Sequence, residues 1–152
     1  MTESGGKSPS EPLPESPLAP APAPLAGLTA LVVEDEAVIG FMVEDMLADL
    51  GCRVAGVAPD VETALGLLAA EPVDIAVLDV NLGNERSFPV ADALRRRRIP
   101  FLFATGYGAG GIPAGYSDVP VLAKPYSSEL LRRSLTGLVR PAVHVNPAEG
   151  AG

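Results

Sequence analysis

Four stretches of the chain are apolar without a break and without alternating polarity: Leu28 to Val33, Val73 to Leu78, Pro100 to Ala104 and Val119 to Ala123. That pattern belongs to strands buried on both faces, as in a parallel sheet. A further strand falls near Arg53 to Ala58. Between the strands the period lengthens. From about Glu36 to Leu50, a spacing of 100° per residue puts Ile39, Val43, Met46 and Leu50 on one face with Met42 and Leu47 at its margins, a core-facing stripe that Gly51 ends. Asp60 caps a second helix that turns Val61, Ala64, Leu65 and Leu68 inward and stops at Glu71-Pro72. A third begins near Ser87, tolerates Pro89 in its first turn and runs to Arg98. Ser127 or Ser128 caps the last, whose Leu131, Leu135 and Leu138 face the core. Strand and helix alternate throughout, which selects an α/β fold with a five-stranded doubly wound parallel sheet. One crossover breaks the rule: residues 106 to 115 hold five glycines, so the fourth helix should be short, irregular or mobile.

A chain of 152 residues with 47% hydrophobic content holds one domain with a substantial core and hardly two. Its ends shrink the folded part. Residues 1 to 27 carry seven of the sixteen prolines and no apolar periodicity, which reads as a disordered Pro/Ala-rich tail, and residues 141 to 152 read as a flexible C-terminal tail. The folded domain is expected over residues 28 to 140. No long apolar segment and no basic start with an apolar core are present, so neither membrane insertion nor secretion is indicated and a cytoplasmic location is expected. A single cysteine, Cys52, excludes an internal disulfide and suits a small apolar role at a strand start. A net charge of -8 argues against nucleic acid as a partner. The one basic run, Arg95 to Arg98, reads as a solvated helix end complementing the helix dipole.

The chemistry gathers where strands end. Glu34-Asp35, Asp79-Val80-Asn81, Thr105-Gly106 and Lys124-Pro125 each follow a strand, so all four meet at the carboxyl edge of the sheet, where open α/β sheets bind ligands. Taken singly each has a plainer explanation: an acidic first turn, a turn aspartate, a β-branched strand end. Together they compose a phosphoryl-transfer site. Carboxylates this close repel unless they share a cation, and Mg²⁺, with its preference for oxygen ligands, fits best. Asp79 is the candidate nucleophile, Lys124 supplies a compact positive charge, Thr105 donates a hydroxyl, and Gly106 beside it leaves the phosphoryl group accessible.

The motifs Val-Val-Glu-Asp-Glu (32 to 36), Leu-Asp-Val-Asn-Leu (78 to 82), Phe-Ala-Thr-Gly-Tyr (103 to 107) and Ala-Lys-Pro-Tyr (123 to 126) carry a resemblance to the response-regulator receiver domains of two-component signalling. It spans about three quarters of the chain, and the third motif resembles the signature of the FAT GUY group. The resemblance implies a flavodoxin-like receiver fold and a stand-alone regulator, not an enzyme in its own right, that takes a phosphoryl group on Asp79 from a sensor histidine kinase with Mg²⁺. It would signal to a downstream protein target or phosphotransfer protein. By the same resemblance Asp35 and Asp79 ligate the metal, Glu34 does so directly or through water, and the backbone carbonyl of Asn81 adds an oxygen. Pro125 occupies the family's position for a cis peptide. Phe41, about 200° round the first helix from Ile39, lies where receivers dock their kinase. Two features depart from the family. Val121 stands where most receivers have a switch aromatic, and either Tyr107, otherwise an ordinary loop aromatic, or a disorder-to-order change over residues 106 to 116 is expected to do that work. His144 has no helix around it and is not a phosphodonor. Two rivals stand beside the receiver reading: a haloacid-dehalogenase-like phosphatase, which normally has a second aspartate where this chain has Asn81, and a receiver-like module acting without phosphorylation.

Overall fold

The structure, a computed structural model, describes residues 24 to 106 and 110 to 139. Expectations about residues 1 to 23, Tyr107 and the C-terminal tail lie outside that range. The elements run β1 (Thr29–Val33), α1 (Ala37–Asp49), β2 (Arg53–Ala58), α2 (Val61–Ala70), β3 (Ile75–Asp79), β4 (Asn81–Leu82), β5 (Glu85–Arg86), α3 (Phe88–Arg96), β6 (Phe101–Thr105), β7 (Val121–Ala123) and α4 (Ser128–Val139). Five of the strands form one parallel sheet in the order β2-β1-β3-β6-β7, so the chain winds outward from β1 in both directions. Alternation along the strands sends side chains to two cores. Leu31, Val33, Ala76, Leu78, Phe101 and Phe103 pack against α2 and α3, and Ala30, Val32, Ile75, Val77, Leu102 and Leu122 against α1 and α4. This is the doubly wound, flavodoxin-like arrangement, and it opens a crevice beyond the ends of β1 and β3, where the winding reverses.

Two helices bury the expected stripe but differ from the sequence reading at its margins. In α1 the buried residues are Gly40, Val43 and Leu47, with Ile39 and Met46 half-buried and Met42 51% exposed. Gly40 explains the difference. A Cβ there would lie 2.7 Å from Val57 Cγ1, so this is the face on which the helix comes down against β2. In α2, Ala64 and Leu68 are buried as expected, but Leu65 is 37% exposed. The Asp60 cap forms, its carboxylate accepting from Thr63 N–H at 2.7 Å, and Ser127 rather than Ser128 caps the last helix through Leu130 N–H at 3.0 Å.

The packed part also begins earlier than residue 28. Leu25 is 2% exposed inside the second core, and the turn around it is tied down by Gly27 N–H to Gly51 O at 2.9 Å and Leu28 N–H to Leu25 O at 3.2 Å. Residues 24 to 27 are therefore corrected from tail to domain. Cys52 is buried beside Leu25, as a small apolar residue would be.

No regular helix is described between β6 and β7. A short 3-10 turn at Ala114–Tyr116 replaces it, and Tyr116 fills the space by stacking on Phe88 (centroids 5.7 Å apart) and meeting Phe103 edge-on at 5.6 Å. The Tyr116 hydroxyl bonds the Asp92 carboxylate, and the Arg95 guanidinium lies 4.9 Å over the ring while pairing with Asp118 at 2.6 Å. Arg97 donates to the Leu68 carbonyl at the end of α2. The arginine run is thus partly structural, not merely a solvated end. Burial, with the Asp92 hydrogen bond adding, pushes the Tyr116 hydroxyl up to about 12. A proton held more firmly in the folded state stabilises up to the ordinary tyrosine value of 10 and stops doing so as pH rises toward about 12. Tyr116→Phe should cost about 1 kcal/mol in denaturant unfolding at neutral pH, the typical contribution of one hydrogen bond, and flatten the loss of stability above pH 10.

Candidate functional site

β1 ends at Val33, paired to Leu78 of β3, so Glu34 and Asp79 leave neighbouring strands side by side. Glu34 N–H bonds the Ala58 carbonyl of β2 at 2.9 Å, continuing the ladder one residue past the strand. Both carboxylates are buried, at 4% and 7% exposure, while Asp35 turns outward. One carboxylate oxygen from each of Glu34, Asp35 and Asp79 can be chosen so that all three lie within 4.8 Å of one another.

Lys124 reaches this cluster from the end of β7. Its Nζ stands 3.1 Å from Glu34 Oε1 and 3.3 Å from Asp79 Oδ2. The peptide Lys124-Pro125 is cis, at the position the sequence reading assigned to it. Glu34 is already engaged on both oxygens, since Oε2 accepts from Glu36 N–H at 3.1 Å. Burial pushes its carboxyl up to about 7, the Glu36 N–H and Lys124 pulling against that and the Asp79 charge adding to it. On Lys124 burial works the other way, yet the two carboxylates outweigh it and raise its pKa. Two carboxylates thus share one ammonium, and Asp35 and Glu36 line the cleft beside them.

Thr105 is 2% exposed at the end of β6, and its carbonyl accepts from Lys124 N–H at 2.9 Å, which locks the two strand ends together. Gly106 and Asn81 border the cleft of about 480 Å³ that holds Asp35, Asp79 and Lys124. A Cβ at Gly106 would meet nothing within 4 Å, so packing does not demand glycine there. Phe41, by contrast, lies outside the cleft, 61% exposed on α1. Val121 is half-buried in the short β7, with no aromatic beside Thr105 on that strand.

Two features escaped the sequence reading. Tyr126, two residues after Lys124, packs into the α1 core, and burial with the charges of Glu34 and Asp79 raises its hydroxyl pKa. An aromatic directly after Lys-Pro was its only signal. The hairpin of β4 and β5 forms the lip of the cleft, and with Leu82 its single apolar, buried residue the sequence Asn81 to Arg86 has no apolar period to announce it.

The chain matches the family model described as "Response regulator receiver domain" over residues 30–136. Among solved structures it is similar to SdrG from Sphingomonas melonis Fr1, at 40% identity, TM-score 0.67, covering 76% of this chain and 98% of that one. It is also similar to the BeF3-activated conformation of SdrG from Pseudomonas melonis Fr1, at 41% identity, TM-score 0.65, covering 75% and 98%. Among curated proteins it is 29% identical over 116 residues to the sensory transduction protein LytT of Bacillus subtilis (strain 168), covering 71% of this chain and 46% of LytT, so it spans about half the length of that relative. With the parallel five-stranded sheet and the carboxylate-lysine crevice in the place where the match falls, the chain belongs to the response regulator receiver domain family.

Proposed function

We propose that the protein is a phosphoacceptor regulator that takes a phosphoryl group on Asp79 from the phosphohistidine of a sensor histidine kinase, in a Mg²⁺-dependent reaction, and passes the signal on by protein contact. The observation carrying this reading is the Lys124 ammonium held 3.1 Å from Glu34 and 3.3 Å from Asp79 at the ligand-binding edge of the sheet. In the reaction a carboxylate oxygen of Asp79 forms the new bond to phosphorus, the bond from phosphorus to the imidazole nitrogen breaks, and the imidazole leaves with its electron pair. Lys124 neutralises charge on the transferring group, and Thr105 donates its hydroxyl to a phosphoryl oxygen.

The residues present fit Mg²⁺. Three carboxylates converge with oxygens only, the donor set that Mg²⁺ prefers, and burial with the Asp79 charge adding pushes the Glu34 carboxyl up to about 7. Asp35 and Asp79 would hold the ion with the backbone carbonyl of Asn81, and Glu34, whose two oxygens are engaged, would act through water. When bound it supplies charge neutralisation. The BeF3-activated conformation of the 41% identical SdrG supports a site that accepts a phosphoryl-like group. Among the described residues no helix is long and apolar enough to cross a membrane, which is compatible with a cytoplasmic location. The family assignment leaves the phosphatase alternative without support, and the intact acidic cluster with Lys124 favours phosphorylation over a module acting without it.

The test is incubation with acetyl phosphate and Mg²⁺. One acid-stable, base-labile adduct should appear, mapped to Asp79 by mass spectrometry and abolished by chelator. An adduct at another residue, or none, sinks the reading. Asp35→Asn should weaken Mg²⁺ binding by at least about tenfold without lowering the melting temperature of the metal-free protein, because it removes one charge from a crowded acidic site. Titration calorimetry reads the first effect and a thermal scan the second.

A further inference from the structure

The Lys124 side chain reaches from the end of β7, past β6, to set its Nζ against both Glu34 and Asp79, so its charge is already shared between two carboxylates. A phosphoryl group brings further negative charge, and the side of the crevice next to Thr105 has a cation of its own. The hairpin of β4 and β5 places it there. Asn81 stands directly opposite Arg86 in the two-stranded ladder, and directly opposite residues share a face. The intervening residue pair is Gly83-Asn84, with Gly83 at φ +67, which closes the tight turn that fixes this register. Glu85, next along β5, points the other way: its Oε2 accepts from Val61 N–H at 3.0 Å and clips the hairpin to the start of α2. With Glu85 directed away, Arg86 faces the cavity of about 430 Å³ that Asn81, Thr105 and Gly110 also line. Asn81 and Gly83 border both this cavity and the Asp79 cleft, so the two adjoin. Arg86 is exposed, and among the described residues no ion pair holds it.

We propose that Arg86 is the second cation of the phosphoryl site, its guanidinium donating to phosphoryl oxygens from the hairpin cavity that Thr105 lines, while the Lys124 ammonium serves those turned toward Glu34. The planar fork of arginine suits two oxygens of one phosphoryl group, which a point charge would serve less well. This rests on Asp79 being the phosphoacceptor and extends it.

The test compares wild type, Arg86→Gln and Arg86→Lys with Mg²⁺ present. Two probes are used: acetyl phosphate for the labelling rate and beryllofluoride, titrated by amide chemical shifts, for affinity. Arg86→Gln should lower both by about tenfold, the scale of one charge-assisted hydrogen bond. Arg86→Lys should recover part of the loss, and the difference from wild type should shrink as salt is raised, because an exposed charge is screened. Mg²⁺ affinity should stay unchanged. Labelling and beryllofluoride binding within about twofold of wild type in Arg86→Gln overturn the proposal, as does an equal loss of Mg²⁺ affinity, which would make Arg86 a support of the hairpin only. Wild type that takes no label on Asp79 overturns the phosphoacceptor reading and this one with it; wild type that labels beside an indifferent Arg86→Gln overturns this one alone.

Discussion

Asp79→Asn should take no label from acetyl phosphate or from a phosphorylated kinase, a loss to background rather than a slowing. Asparagine keeps the shape of the side chain but removes the anionic oxygen that bonds to phosphorus, and no other described residue occupies the same place. Glu34 is buried and has both oxygens engaged, one by Lys124 and one by the Glu36 N–H. Asp35 is exposed on the outer side of the cleft. The fold should survive the change. Asp79 stands at 7% exposure among like charges, and exchanging it for a neutral group relieves repulsion while costing one contact to Lys124 at 3.3 Å. A melting temperature at or above that of wild type, with no base-labile adduct, is the expected pair of results. Label at full level in Asp79→Asn would move the nucleophile elsewhere.

The strands and the site were legible in the sequence for a common reason. A strand buried on both faces has to be apolar throughout, so an acidic, hydroxyl or basic residue at its end stands out, and parallel pairing then brings such ends together without further assumption. Gly51 and Asp60 marked helix boundaries through backbone chemistry that acts locally. What the pattern left open was the margins of the helix face: Ile39, Val43, Met46 and Leu50 pack on the core as expected, but of the two margin residues Leu47 is buried and Met42 exposed. Around α1 the residues Val38, Ile39, Phe41, Met42, Val43, Met46 and Leu47 are apolar on nearly every side, so periodicity does not settle which margin packs. The close approach of Gly40 to Val57 decides it, and that is a tertiary fact. Leu25 was hidden by its proline-rich neighbours, and Tyr116 by the glycines before it. Each is a single apolar side chain that finds a place in a core built by distant segments, and no periodicity announces one residue.

The face of α1 turned away from the core exposes a surface around Phe41. Val38 is 71% exposed, Phe41 61% and Met42 51%, at spacings of three and four residues that put them side by side on the helix. Three large apolar side chains together in water are harder to account for than one, and mark an interaction surface. Met42 also lines a groove of about 250 Å³ with Ile39, Tyr126 and Lys124, so the patch runs without interruption from the outer face of α1 to the phosphoryl site. A kinase helix carrying a phosphohistidine would rest on the patch and direct its imidazole along that groove, whereas a small phosphodonor needs only the cleft. The two routes should therefore separate. Phe41→Ala should slow transfer from the cognate kinase by about thirtyfold, the effect of losing an aromatic anchor contributing about 2 kcal/mol, and leave labelling by acetyl phosphate at its wild-type rate. Paired time courses with the two donors read this directly. Equal slowing of both would mean that Phe41 supports the cleft rather than the partner, and an unaffected kinase route would remove α1 from the docking surface.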